Sequence, residues 1–239
     1  MKHQLKILYE DSHIIVCFKP HGLATQSRRV GLPDMERMIL NHLALNNPKD
    51  KPYLAVIHRL DQPVSGILVF AKTPKAAKEL SRQLTEKEFG KHYLAQVDGI
   101  PPKSEGSLTD YMVKDGRTNT SRICEKNTPG AKQARLSYQT VSEHPSLYAN
   151  IFPETVTEAE ESSALRTLLK VTLDTGRHHQ IRVQLAHIGC PIVGDTKYNP
   201  KAAAACKWQS IRLCAYRLTF RHPITGRTMS FSLADEKTD

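Results

Sequence analysis

The chain has 239 residues, 39% of them hydrophobic and 24% charged, which excludes a disordered, collagen-like or coiled-coil protein and leaves room for one sizeable core. The 34 Lys and Arg outnumber the 24 Asp and Glu, and the resulting net charge of +10, with His neutral, favours polyanionic partners, either nucleic acid or an anionic membrane surface. The longest apolar runs, Ile14–Phe18 and Ile67–Ala71, have strand length and fall far short of a bilayer span; the N-terminus lacks the apolar core of a signal peptide, so a cytoplasmic protein with no membrane partner is expected. The cysteines, Cys17, Cys124, Cys190, Cys206 and Cys214, are scattered without a C-x-x-C pair, which points to reduced structural thiols.

Residues 5–18 predict a hairpin, with Leu5–Tyr9 extended, a polar turn at Glu10–Ser12 and an apolar strand from Ile14 that ends at Lys19-Pro20-His21-Gly22. Pro33 followed by Met35, Met38, Ile39 and Leu43 predicts a short helix closed by Asn46-Asn47-Pro48. Leu54–Ile57 and Gly66–Ala71 read as buried strands, and Asp61 falls in the polar turn between them. Thr73-Pro74 opens a second helix through Ala76, Ala77, Leu80 and Leu84, and Tyr93–Val97 follows as a strand.

From Pro101 to Gln133 the chain is polar and rich in Lys, Arg, Gly and Thr, and some of it is expected to be mobile loop. Residues 153–163, with Glu154, Glu158, Glu160 and Glu161, read as an acidic surface insertion. A strand over Arg166–Thr175 leads into a helix through His178–Ala186, capped by Gly189, and a terminal hairpin spans Ser210–Leu233. Strands outnumber helices, so the expected fold class is α+β, on a largely antiparallel or mixed sheet with flanking helices and loops.

His58-Arg59-Leu60-Asp61 places an acid, a guanidinium and an imidazole in one turn between hydrophobic strands. A partly desolvated carboxylate there needs a partner, since an unpaired buried charge is expensive. Taken alone, the tetrapeptide reads as an Asx-turn that holds the loop. Three motifs in order change that reading: His58-Arg59-Leu60-Asp61 with Ser65-Gly66; Lys91-His92-Tyr93-Leu94-Ala95; and Gly176-Arg177-His178-His179-Gln180-Ile181-Arg182 with Gly194-Asp195. Together with Ile7–Asp11 and Lys19–Leu23 they resemble, over nearly the whole chain, the RluA-type pseudouridine synthases.

The resemblance implies one catalytic domain over 1–239 and a cofactor-free, metal-free isomerase that breaks the N1–C1′ bond of a uridine in RNA, turns the base and rejoins it through C5. Asp61 is then the essential carboxylate, acting either by attack on C1′ or by assisting loss of the 2′ proton; uracil leaves as a stabilised anion, so no second acid is required. Arg182 matches the arginine that pairs with that aspartate, Tyr93 the active-site tyrosine that stacks on uracil, and Ile181 part of the apolar wall under the base. Arg59 matches the arginine that fills the gap left by the flipped-out uridine. From Gln180-Ile181-Arg182 alone, Arg182 reads as a surface helix residue. His58, His178, His179 and His187 lack carboxylate or cysteine companions at ligand spacing, so no metal site is expected.

The chain departs from the family pattern at Val64, usually Thr, at His178, usually Thr, and at Gln184, usually His. Only a few residues precede the first strand, so the S4 RNA-binding domain of many relatives is expected to be absent. Structured RNA, tRNA favoured over an rRNA hairpin, is the expected partner, with a monomer as the default and no obligate protein partner. The competing reading is a non-catalytic RNA-binding or RNA-folding protein on the same scaffold. Between Thr196 and Arg227 lie Lys197, Lys201, Lys207, Arg212, Arg217, Arg221 and Arg227 with no acid, and strand alternation lets only some of them face the same way.

Overall fold

The computed structural model describes residues 4–27, 31–48, 51–141, 151–152, 165–205 and 210–234. They fall into two compact units, Met1–Gly90 with Ala215–Ser232, and Lys91–Cys214 with Leu233–Asp239. The acidic stretch 153–163 lies outside the described residues.

In the first unit, β1 (Lys6–Glu10) and β2 (Ile14–Lys19) form the expected antiparallel hairpin. β2 pairs along the whole of one edge of β4 (Ser65–Ala71), so β3 (Ala55–Val56) and β10 (Leu213–Arg221) share the other edge. β11 (Thr228–Ser232) pairs antiparallel with β10. Ile14–Cys17 and Ile67–Ala71 are buried on both faces, which is why these runs are uniformly apolar rather than alternating.

Two helices accompany these strands. α1 (Met35–Asn46) buries Met35, Ile39 and Leu43, one stripe at four-residue spacing. Its start is set by Asp34 rather than by Pro33: the buried Asp34 carboxylate accepts from the Arg37 amide at 2.8 Å and the Ser27 amide at 2.9 Å. α2 (Pro74–Thr85) packs on β4, with Thr73 as its N-cap and Pro74 at its first position, as predicted.

In the second unit the strand order is β5-β9-β8-β6-β7, each neighbouring pair antiparallel: β5 (Gly90–Asp98), β9 (Arg166–Leu173), β8 (Lys132–Thr140), β6 (Glu105–Asp115) and β7 (Thr120–Cys124). Much of the polar stretch Pro101–Gln133, of which some was expected to be loop, is thus strand. β8 alternates buried with exposed side chains and β6 half-buried with exposed ones, so one face is polar because it meets water, and polarity there does not mark a loop. The connection at Asp115–Asn119 is pinned by the Asp115 carboxylate, which accepts from the Arg117 amide and the Thr118 hydroxyl at 2.8 Å each.

α3 (Gln180–His187) is buried from Gln180 to Leu185 and ends, as expected, at Gly189 with positive φ. α4 (Pro200–Ala204) is a short turn capped by Asn199. Among the described residues no helix is long and apolar enough to cross a membrane.

Candidate active site

Asp61 lies in the connection between β3 and β4, half-buried, between the buried Leu60 and the exposed Gln62. The chain on either side of it is clamped by main-chain partners. Upstream, the Thr25 hydroxyl accepts from the Leu60 amide at 3.2 Å and donates to the Leu60 carbonyl at 3.0 Å. Downstream, the fully buried Lys19 ammonium donates to the carbonyls of Gln62 (3.0 Å), Leu23 (2.6 Å) and Pro20 (3.2 Å). The Gln62 amide donates back to the Gly22 carbonyl at 3.0 Å, and the Val64 amide closes the turn onto the Asp61 carbonyl.

Arg59 is exposed, Leu60 is buried and Asp61 is half-buried, so the loop anchors through Leu60 and presents the two charged side chains away from that anchor. His58 supports the loop from below: its Nε2 accepts from the Val69 amide at 3.3 Å, and its ring meets Phe89 edge-on at 5.9 Å. Gly66 has φ +139°, and a Cβ there would stand 2.5–2.6 Å from the Ala215 backbone and side chain, so the close approach of β10 to β4 requires glycine. Val64, in place of threonine, is buried at 2% exposure and brings no polar group that needs a partner.

Tyr93, Ile181 and Arg182 belong to the second unit and are all buried. Tyr93 sits on β5 opposite Val171 of β9. Arg182, at 4% exposure, is a core residue of α3 and not the surface arginine that its sequence neighbours suggest. Its Nε donates to Asp195 Oδ2 at 2.8 Å and its Nη2 to Oδ1 at 2.7 Å, a two-pronged fork that keeps both ions buried. The Lys197 amide adds a third donor to Asp195 at 3.0 Å, and the Arg182 guanidinium lies over the Tyr198 ring, 5.2 Å from its centroid.

The Tyr198 hydroxyl accepts from the Ser121 amide at 2.8 Å, which leaves its own proton for His179 Nδ1 at 2.7 Å. His179 precedes α3 in the left-handed region, φ +55°, and stacks on His178 at 3.7 Å. Burial, then the charges of Arg182, His178 and Lys197, push the His179 imidazole down to about 2, against the pull of Asp195. It is therefore a neutral ring, whose Nδ1 can accept the Tyr198 proton.

Each of the other two departures from the family pattern has a partner of its own: His178 Nδ1 with the Ser121 hydroxyl at 2.8 Å, and Gln184, whose amide donates to Asp110 at 2.6 Å. Both tie the α3 region to the β6–β7 hairpin. Gln180 holds the loop before α3, accepting from the Arg177 amide and the Thr175 hydroxyl. Lys91 is partly buried beside Gly176, and burial followed by repulsion from Arg177 lowers its pKa. A pocket of about 500 Å³ beside α3 is lined by Arg122, Val183, His187 and Tyr198.

Sequence reasoning missed Lys19 and Thr25 as loop clamps, and Asp195 and Tyr198 as two partners of Arg182. One signal was present: a lysine that ends a wholly apolar strand is buried with it and has to find acceptors.

Residues 13–187 match the family model for RNA pseudouridylate synthase. The chain is 35% identical over 228 residues to the dual-specificity RNA pseudouridine synthase RluA of Escherichia coli K12, covering 95% of this chain and 91% of the relative. It is 32% identical over 240 residues to the ribosomal large subunit pseudouridine synthase D of Vibrio cholerae, covering 95% and 66% respectively. Human RNA pseudouridylate synthase domain containing 4 superposes with a TM-score of 0.72 at 20% identity over 95% of this chain and 87% of that one, and domain containing 1 with 0.70 at 21% over 97% and 84%; both show the fold. The chain belongs to the RNA pseudouridylate synthase family and has its α+β fold. It is an isomerase that acts on uridine in RNA.

Proposed function

We propose that the enzyme converts a specific uridine of a compact structured RNA, tRNA before rRNA, with Asp61 as its essential carboxylate and Arg59, Tyr93, Ile181 and Arg182 as substrate-binding residues. The observation that carries this is the Asp61 loop itself: a half-buried aspartate whose flanking main chain is held by Thr25 at Leu60 and by Lys19 at Gln62, with an exposed arginine two residues away. So tight a clamp suits a group that must meet one sugar carbon in one direction.

A uridine in a stem or stacked loop exposes C1′ only after the base leaves the stack, and the exposed Arg59 fills that space and meets a phosphate. Tyr93 and Ile181 supply flat and apolar surface for uracil, and Arg182 is the arginine that pairs with the catalytic aspartate and keeps it ionised. A tRNA arm offers its target and its phosphates within the reach of a small protein, and the net charge of +10 draws it in. The similarity to a dual-specificity RNA pseudouridine synthase over 91% of that enzyme's length supports an RNA substrate. The reading places the enzyme, a monomer with no obligate protein partner, in the cytoplasm.

The test is to incubate the protein with bulk tRNA and with rRNA and map pseudouridine at single-nucleotide resolution. Product at one or a few tRNA positions, lost with Asp61→Asn, is expected. Equal product with Asp61→Asn overturns the role of Asp61, and product in rRNA alone overturns the preference for tRNA.

A further inference from the structure

A second concave site lies in the first unit, at the end of its strands opposite the Asp61 loop. Asp61 precedes the start of β4, whereas Ile14, next to the second site, pairs with Ala71 at the end of β4. The seven residues of β4 put about 20 Å between the two ends at about 3.4 Å per residue. The site is a pocket of about 580 Å³ lined by Tyr9, Asp11, His222, Arg227, Met229 and Phe231, among others. That volume is in the range of small-ligand sites.

Its floor is rigid and chemically committed. Asp11 Oδ1 accepts from the His13 and Ile14 amides at 2.7 and 2.9 Å, and Oδ2 from the Tyr9 hydroxyl at 3.0 Å and His222 Nε2 at 2.8 Å. Burial works against ionisation of Asp11, but these four donors outweigh it and hold the carboxyl at about 2. His222 Nδ1 accepts from the Ile224 and Thr225 amides at 3.3 and 3.1 Å, so the ring proton sits on Nε2 and both nitrogens are in use. A general base needs a free lone pair. The Asp11–His222 pair has none to offer, so the pocket is built to bind and not to react.

The walls carry what a ligand could use. Tyr9 and Phe231 stand 6.0 Å apart, tilted by 53°, and Phe231 is itself stacked on Phe220. Arg227, Met229 and Phe231 alternate along one side of the chain, the last two half-buried and Arg227 exposed at the mouth. Among the described residues the Arg227 guanidinium is engaged by no carboxylate, and it lies near enough to Tyr9 for its charge to act on the phenol. Two other basic residues of the stretch 196–227 are engaged: Arg221 is paired with Glu88 and Lys197 donates to the Asn119 carbonyl.

We propose that this pocket is a second nucleotide-binding site, which takes one nucleotide with its base against Tyr9 and Phe231 and its phosphate at Arg227. An aromatic wall accepts any base by its π-face, and the arginine fork matches a phosphate. The nucleotide can be free or part of an RNA strand, since the recognised chemistry is the same.

The test is a titration of the full chain with adenosine 5′-monophosphate, and separately with a short oligoadenylate, followed by NMR shifts of Tyr9, Thr228 and Phe231. Adenine is chosen because the reacting base is uracil. Saturable shifts at these residues are expected, with binding weakened about tenfold or more by Arg227→Ala; Arg227 is exposed, so that variant keeps its fold. Shifts with the mononucleotide establish a free nucleotide as an occupant, and shifts with the oligonucleotide alone establish an RNA strand; either supports the site. No saturable shift with either probe, or affinity unmoved by Arg227→Ala, overturns it. The readout needs no turnover, so failure here and failure of pseudouridine formation are separate results.

Discussion

The Lys19 ammonium, with no exposed surface, donates to the Gln62 carbonyl at 3.0 Å and so fixes the residue that follows Asp61. The same ammonium holds the carbonyls of Pro20 and Leu23. A lysine at the end of β2 thus joins two loops that are distant in sequence, and one buried cation fixes the main chain beside the acid.

Replacing Lys19 by Met keeps most of the side-chain volume and leaves those carbonyls without this donor inside the protein. Unpaired buried polar groups cost about 1–3 kcal/mol each, so Lys19→Met is expected to lower stability by about 2–4 kcal/mol in urea unfolding. Pseudouridine formation is expected to fall mainly in kcat, since the loop that carries Asp61 loses direction. Gln62→Ala, which removes only an exposed side-chain bond to Gly22, is the control and should cost less than about 1 kcal/mol.

Gly66 gives a second, purely steric prediction. Ala at this position must adopt φ +139° and place a methyl 2.5 Å from the Ala215 carbonyl oxygen. Backbone strain of about 1–3 kcal/mol adds to the displacement of β10, so Gly66→Ala is expected to destabilise by about 3 kcal/mol or more, read as a fall in thermal midpoint. A fall of less than 1 °C would mean that β10 does not approach β4 this closely.

Asp195→Asn tests the buried fork. The amide keeps the shape but supplies no charge, leaving Arg182 short of the anion that now holds its Nε and Nη2. Breaking a buried ion pair from one side costs about 3–5 kcal/mol, and urea unfolding at neutral pH measures it. Arg182→Lys should not rescue function, because a single ammonium cannot reproduce the two-pronged contact or the stacking on Tyr198.

What the sequence revealed, and what it hid, follows from the range of the interactions. The β1–β2 hairpin, the strand at Ile67–Ala71, the helices at Met35 and Pro74 and the glycine stop at Gly189 are encoded by period, caps and breakers within a few residues, and they stand where expected. The strands at Glu105–Thr140 were hidden because a sheet with one wet face has the composition of a loop. Arg182 looked like a surface residue because the helix that carries it is buried almost all round and has no clear apolar stripe. The clamps on the Asp61 loop join Lys19 to Gln62 and Thr25 to Leu60, pairs more than 30 residues apart, which no local pattern can announce. The catalytic candidates themselves were found only because three motifs stand in one order.

His179 makes stability depend on pH in a range where few groups act. Its imidazole is held neutral, down to about 2, mainly by burial and then by the charges around it, whereas in the unfolded chain it titrates near the ordinary histidine value of 6.5. Below 6.5 the unfolded state therefore binds a proton that the folded state refuses, and stability present above that pH is lost progressively as pH falls toward 2. The slope is at most about 1.4 kcal/mol per pH unit, so going from pH 6.5 to 5 is expected to remove up to about 2 kcal/mol. Asp11, also depressed to about 2, contributes stability that is lost only as pH falls below 3.8, so it leaves this upper window untouched. Asn at position 179 suits the left-handed backbone and can still meet the Tyr198 hydroxyl, but it does not titrate. Urea midpoints measured from pH 7.5 to 5 should fall in the wild type and fall less steeply in His179→Asn. Parallel curves for the two proteins would show that His179 is protonated in the fold, and that its bond to Tyr198 runs the other way.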